Sequence, residues 1–151
     1  KKKAEAGDPE AMSDLSACYI FGRSGLHEDY KQAYLWCSRA ADLNSISGMA
    51  YRGMMLFMGR PVDQNETEGG VLLGIAAGQN NAYACYVLGC KYFQGDSALP
   101  KNHKLAKYWL KKAVNLDQDE ETDSGHRMEP DALESCQRRL KELEGDAQRQ
   151  R

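Results

Sequence analysis

The 151-residue sequence lacks any apolar run near the roughly 20 consecutive residues that a membrane-spanning helix requires. It also lacks an excess of basic charge, because 20 lysines and arginines are balanced by 22 aspartates and glutamates, which gives a net charge of −2. We therefore expect no membrane insertion and no nucleic acid as the main ligand. The lysines at positions 1–3 are followed by "AEAGD" rather than by an apolar segment, so a signal peptide is not expected there.

The cysteines are too irregular for a disulfide framework, since there are five of them at uneven spacing. Cys85 and Cys90 lie five residues apart without a second pair, so no zinc site is predicted. Cys18 and Cys37 could meet across a helical hairpin, which the sequence leaves open. We expect no metal, no cofactor, no obligatory disulfide, and a reducing compartment such as the cytoplasm.

A repeat with a period of 36–37 residues organises the first 116 residues. Residues at equivalent positions agree in type, and many of them are small: Ser16, Gly53 and Gly89; Ala33, Gly69 and Ala106; Trp36, Leu72 and Trp109; Ala40, Ala76 and Ala113. Small residues at helix centres are typical of helices that cross closely. We therefore assign these glycines to packing rather than to catalysis.

Each repeat is predicted to contain two helices, because apolar and small residues recur at helical spacing. The first helices are predicted at 9–21, 45–58 and 81–94, and the second at 29–42, 65–78 and 102–116. A glycine follows each first helix and indicates its C-terminal end, at Gly22, Gly59 and Gly95. A capping residue precedes each second helix, at Asp29, Asn65 and Asn102.

The loops between the paired helices read "GRSGLHED", "GRPVDQN" and "GDSALPKN", and the second helices at 40–41 and 76–77 end in "AA". With the period, these features resemble the Sel1-like repeats, a branch of the tetratricopeptide-type helical hairpins. The resemblance implies an all-α, right-handed α-solenoid of three hairpins with a C-terminal capping helix. The expected organisation is the end of a preceding repeat helix at 1–6, repeats at 7–43, 44–79 and 80–116, an acidic loop at 117–128, and the capping helix at 129–151.

The acidic loop and the capping helix are predicted from their own residues and not from the repeat pattern. Asp117–Asp123 contains five acidic residues in seven, and we favour a solvated loop over an interaction tail. The capping helix follows Glu129 and Pro130 and places Leu133, Cys136, Leu140 and Leu143 on one face.

The middle repeat departs most from the pattern. Arg52 stands where the other repeats have Leu15 and Leu88, so its guanidinium must reach solvent or a carboxylate. Gly69 and Gly70 lie inside a predicted helix and indicate either close backbone packing or a point where the solenoid can bend. We favour packing.

No catalytic motif is found, so we predict that the chain is not an enzyme. Lys104, Lys107 and Lys111 share one helix face, with Lys101 and Lys112 nearby, which could suggest phosphate binding. We favour a solvated outer face.

The resemblance implies that the first helices line a concave groove. The apolar and aromatic residues at the inward positions are expected to bind a partner peptide or helix: Ile20, Met54, Phe57, Tyr83, Tyr86, Cys90 and Phe93. The alternative is that some of these side chains pack against the neighbouring hairpin.

The expected function is a non-catalytic scaffold or adaptor that binds another protein. Two alternatives stay open: the substrate-recruiting region of a larger enzyme such as a ubiquitin ligase, and a structural subunit of a large assembly. Self-association through open repeat ends is a further expectation.

Overall fold

A computed structural model describes residues 1–97, 99–119 and 128–151. Every regular element within these ranges is an α-helix, in the order α1 (Lys2–Glu5), α2 (Pro9–Phe21), α3 (Tyr30–Asp42), α4 (Ile46–Met58), α5 (Glu66–Gly78), α6 (Ala82–Gln94), α7 (His103–Gln118) and α8 (Pro130–Arg149). The expected acidic loop falls largely on residues 120–127, outside the described part. The chain divides into two compact units, Lys1–Gln79 with α1–α5 and Asn80–Arg151 with α6–α8.

The helices begin where the predicted capping side chains lie. Asp29 Oδ1 accepts hydrogen bonds from the backbone N–H groups of the first turn of α3, at 3.0 and 3.1 Å. Asn65 and Asn102 cap α5 and α7 through single bonds of 3.0 Å. These bonds satisfy donors that have no partner inside the helix, so the predicted starts of the second helices are confirmed.

The predicted glycine ends are also present. Gly22 and Gly59 close α2 and α4 in the left-handed conformation, with φ of 61° and 66°. Gly95 closes α6 with φ of 74° but an extended ψ of 145°, so its loop leaves the helix in a different direction. Non-glycine side chains rarely adopt such positive φ values, which explains why glycine stands at all three ends.

Close helix crossing explains the small residues at the helix centres. In the first unit, the Ser16 hydroxyl of α2 donates to the Ala33 carbonyl of α3 at 2.8 Å. A β-carbon added to Gly69 would lie 2.8 Å from the carbonyl oxygen of Gly53, so α4 and α5 can meet only through glycine. In the second unit, a β-carbon at Gly89 would lie 2.7 Å from Leu110. The packing interpretation of these positions is therefore confirmed.

The core of each unit lies between its helices. In the first unit a buried cluster joins α1, α2 and α3, and Tyr19 and Trp36 pack at its edge; the cluster is Ala4, Met12, Leu15 and Ala40. In the second unit Leu88 and Leu110 are buried between α6 and α7. The apolar face of α8 covers α7, where Cys136 is fully buried and its thiol donates to the Leu110 carbonyl at 3.2 Å.

Arg52 reaches two carboxylates, as its placement required. Its Nη2 lies 2.7 Å from Glu68 Oε1 and its Nη1 lies 3.5 Å from Asp42 Oδ1. Because the guanidinium is only partly exposed, these carboxylates compensate for the water it loses.

Candidate functional site

The predicted groove residues of the first unit are buried, which corrects their expected exposure. Ile20, Met54 and Phe57 are 4%, 6% and 1% exposed. The face of α2 that carries Ile20 packs on the next first helix, α4. At the start of that contact, the hydroxyl oxygens of Ser13 and Ser45 are 2.7 Å apart.

Phe57 is buried by its own hairpin partner. Its ring lies against α5 at Gly69 and Gly70, and a β-carbon at Gly69 would be 3.1 Å from ring atom Cδ2. The glycine pair therefore leaves the space that the ring fills. The alternative of packing against the neighbouring hairpin does not describe Phe57, which packs within its own hairpin.

The predicted residues of the second unit remain partly accessible. Tyr83, Tyr86, Cys90 and Phe93 are all half-buried, and together we call them the α6 aromatic face. The rings of Tyr83 and Tyr86 are tilted by 45° with centroids 6.1 Å apart. This face is the part of the predicted groove that offers aromatic surface to solvent.

Side chains from α7 and α8 contact the α6 aromatic face. The Phe93 ring stacks on His103 with centroids 5.8 Å apart, and the Arg139 guanidinium lies 5.8 Å from the same ring. Tyr86 shares a hydrogen bond with Ser135. The chain's own helix α8 thus occupies part of this surface.

Sequence reasoning assigned no role to Ser135 and Arg139. Both flank Cys136 and Leu140 on α8, and Arg139 donates a hydrogen bond to Ser135 one turn earlier. The sequence does place the cation Arg139 beside the apolar residues of α8, and this position could have indicated a contact at the edge of the helix. The contact with Phe93 depends on how α8 packs, which the local pattern does not specify.

Tyr86 and Cys90 of the α6 aromatic face are uncharged at neutral pH. Burial raises the pKa of the Tyr86 hydroxyl, while the hydrogen bond to Ser135 and the charge of Arg139 act in the opposite direction. Burial also raises the pKa of the Cys90 thiol, opposed by Arg139 and by the hydrogen bond from Tyr86. The face therefore combines aromatic rings and neutral polar groups with one neighbouring guanidinium.

The three buried thiols, Cys37, Cys85 and Cys136, do not resemble those of reactive or metal-binding cysteines. All five are free, including Cys18 and Cys37. Burial raises the pKa of Cys37 and of Cys136 to about 12 and that of Cys85 to about 11. Nucleophilic and metal-bound cysteines need the thiolate, which these surroundings disfavour.

Two further searches of the described ranges concern metals and membranes. No group of three or more His, Cys, Asp or Glu side chains in residues 1–97, 99–119 and 128–151 could hold a metal ion. Among the helices of those same ranges, none has the length and apolar content needed to span a bilayer.

Known proteins share this architecture. A crystal structure of a Sel1 repeat protein from Oxalobacter formigenes is 29% identical, with a TM-score of 0.60 and coverage of 94% of both chains. The protective antigen c5321 of uropathogenic Escherichia coli is 28% identical, with a TM-score of 0.59, over 74% of this chain and 24% of its own. Cysteine rich protein B of Helicobacter pylori shares the fold at 24% identity and a TM-score of 0.56, over 80% of this chain and 90% of its own.

The sequence repeats match a family model as well. The Sel1 repeat model matches three consecutive segments, residues 9–45, 46–81 and 82–118. No curated protein matches the chain significantly. Sel1 repeats are generally modules of protein–protein interaction with an α-solenoid fold. With three matched repeats and an all-helical fold to support it, the chain belongs to the Sel1 repeat family.

Proposed function

We propose that this chain is a non-catalytic interaction module whose α6 aromatic face binds an apolar segment of a partner protein. The observation that carries the proposal is the partial exposure of Tyr83, Tyr86 and Phe93 on one face of α6. Three aromatic rings grouped on one partly exposed face form a patch rather than scattered surface residues, and aromatic rings are enriched at the energetic centres of interfaces.

The chemistry of the face suits a helical or extended apolar segment. Tyrosine offers a large contact area at low conformational cost together with a hydroxyl that can form a hydrogen bond. Arg139 adds a donor for backbone or side-chain oxygens of the partner. The contact with α8 supports a helical partner, because Ser135 and Arg139 already approach Tyr86 and Phe93 from a helix.

The non-catalytic part of the proposal is supported by the state of the potential nucleophiles. Burial keeps the thiols of Cys37, Cys85 and Cys136 protonated far above neutral pH. All three are fully buried in the packing of the helices, and burial disfavours the thiolate that a nucleophile requires.

The test is a selection of displayed peptides on the immobilised chain, followed by affinity measurements on the enriched peptides. We expect Tyr83→Ser to weaken binding about 30-fold, the equivalent of about 2 kcal/mol at an interface centre. Tyr83 is preferred as the target because Tyr86 and Phe93 also contact α8.

Gln32→Ala on α3 is the matched control, since Gln32 is exposed in the other unit and its substitution should leave the affinity unchanged. Circular dichroism establishes that both variants fold. Failure to enrich any peptide, or equal affinities for Tyr83→Ser and the parent chain, would contradict the proposal.

A further inference from the structure

A row of residues recurs on the outer side of the second helices α3, α5 and α7. It has three positions spaced four residues apart, so its members lie one above another on one helix face. The equivalent residues are Lys31, Leu35 and Arg39 on α3; Thr67, Val71 and Ile75 on α5; and Lys104, Tyr108 and Lys112 on α7. We call each set an outer row.

The central residue of every outer row is a large apolar side chain that faces solvent. Leu35 is 53% exposed, Val71 is 58% exposed and Tyr108 is 56% exposed. A single exposed apolar residue needs no explanation, but exposure at the same repeat position on three helices indicates a shared surface property.

The outer rows of α3 and α7 also share a cation beside a tryptophan. The Arg39 guanidinium lies 5.3 Å from the Trp36 ring, and the Lys112 ammonium lies 5.4 Å from the Trp109 ring. These two pairs occupy equivalent repeat positions. Cation–π contact holds the cation near the surface of the helix while leaving it able to meet an anion.

The outer row of α5 has neither feature. Thr67 and Ile75 replace the two cations, and Leu72 replaces the tryptophan. The middle repeat therefore provides an internal comparison with the same fold and the same exposed central residue, but without positive charge.

Three of the four cations in the α3 and α7 rows, Lys31, Arg39 and Lys104, have no ion-pair partner among the described residues. Residues 97–116 contain five lysines and no acidic residue, although the chain as a whole carries a charge of −2, and of these five Lys111 pairs with Glu144 of α8 at 3.7 Å. Charge complementarity therefore points to an acidic ligand at these two rows.

The spacing favours a protein segment over other polyanions. The outer cations of a row are separated by eight helical residues, or about 12 Å, with an apolar side chain between them. An amphipathic helix with acidic residues one turn on either side of an apolar residue matches this pattern. A nucleic acid or an anionic membrane would be steered better by an extended basic surface, which the balanced composition does not provide.

We propose that the outer rows of α3 and α7 each bind an acidic amphipathic helix of a partner protein. The apolar residue of that helix packs on Leu35 or Tyr108, and its carboxylates pair with the flanking cations. This interaction is separate from binding at the α6 aromatic face and involves different helices.

The experiment measures binding of the full chain to a labelled helix-forming peptide in which each leucine has glutamates four residues before and after it. Fluorescence anisotropy gives the affinity at physiological salt. We expect the double variant Lys31→Glu/Lys104→Glu to bind at least about tenfold more weakly, because both rows then repel the glutamates. We expect Thr67→Lys/Ile75→Arg to bind about 1.5-fold more tightly, because it adds a third row to the two that are present.

The matched control is Lys2→Glu/Lys141→Glu, which changes the net charge equally at exposed lysines outside the rows. Its affinity should stay within about twofold of the parent chain, and Tyr83→Ser should also leave the affinity unchanged.

Four results would overturn the inference. They are the absence of binding by the parent chain, an equal loss in the control, equal binding of a peptide with the same composition in scrambled order, and tighter binding to phosphatidylserine vesicles or duplex DNA than to the peptide. The last result would assign the rows to a membrane or a nucleic acid instead.

Discussion

The inward faces of α2 and α6 occupy equivalent repeat positions but differ in residue size and in burial. On α2 the face consists of Ser13, Ala17 and Ile20, which are buried against α4. On α6 the same positions hold Tyr86, Cys90 and Phe93, which are half-buried and contact the amphipathic helix α8. The same repeat position is therefore buried by helix packing on α2 and left partly exposed on α6.

The largest difference in unfolding free energy between a buried and a half-buried inward position is expected when the equivalent phenylalanines are each replaced by alanine. Phe57→Ala should lower the free energy of unfolding by about 3–5 kcal/mol, because the buried ring leaves a cavity against α5. Phe93→Ala should cost only about 1 kcal/mol, because its ring is already partly hydrated. Urea denaturation of both variants measures the difference. Equal losses would mean that Phe93 is as much a core residue as Phe57.

An exchange of residue size between the faces should give the next largest effect. Ala17→Tyr places the bulk of the α6 face into the tight contact between α2 and α4, and overpacking should destabilise the chain by about 1–3 kcal/mol. Cys90→Tyr puts the same side chain at the equivalent, half-exposed position of α6 and should cost less than about 1 kcal/mol. Thermal unfolding followed by circular dichroism compares the two variants. A larger loss for Cys90→Tyr would reverse the assignment of the faces.

At neutral pH no effect is expected from ionisation of the thiol that the first unit buries most fully, and its effect develops only in alkali. The Cys37 thiol titrates at about 12 in the folded chain and at 9.0 when unperturbed, because burial disfavours the thiolate. The folded chain therefore keeps a proton that the unfolded chain releases above pH 9. The Cys37 contribution is fully present below pH 9 and is lost as the pH rises from 9 towards 12, by at most about 1.4 kcal/mol per pH unit.

Urea denaturation between pH 8 and pH 11 tests this dependence. The difference in unfolding free energy between the parent chain and Cys37→Ala should shrink as the pH rises through that range. A constant difference would show that Cys37 ionises equally easily in the folded and unfolded chains.

The sequence was sufficient for features that depend on a few neighbouring residues. The caps at Asp29, Asn65 and Asn102 follow from local hydrogen-bond chemistry, and the close crossings at Gly53 and Gly89 follow from residue size at a repeated position. The cost of burying a charge predicted that Arg52 reaches solvent or a carboxylate. The sequence did not indicate that the carboxylates are those of Glu68 and Asp42.

The exposure of the groove residues could not be predicted in the same way. Ile20 and Phe93 have the same position in the repeat and similar apolar character, so the pattern treats them alike. Their burial depends on what packs over them, which is α4 for Ile20 and part of α8 for Phe93. That property belongs to the tertiary structure and to the place of the repeat in the array.

We propose that a partner binds at the α6 aromatic face and at no other inward face of the first helices. Amide hydrogen exchange of the full chain, with and without a peptide selected on it, tests this claim most directly. We expect the peptide to slow exchange in α6 and in the adjoining part of α8 and to leave exchange in α2 and α4 unchanged. Protection confined to α2–α5, with α6 exchanging at the same rate in both samples, would contradict it.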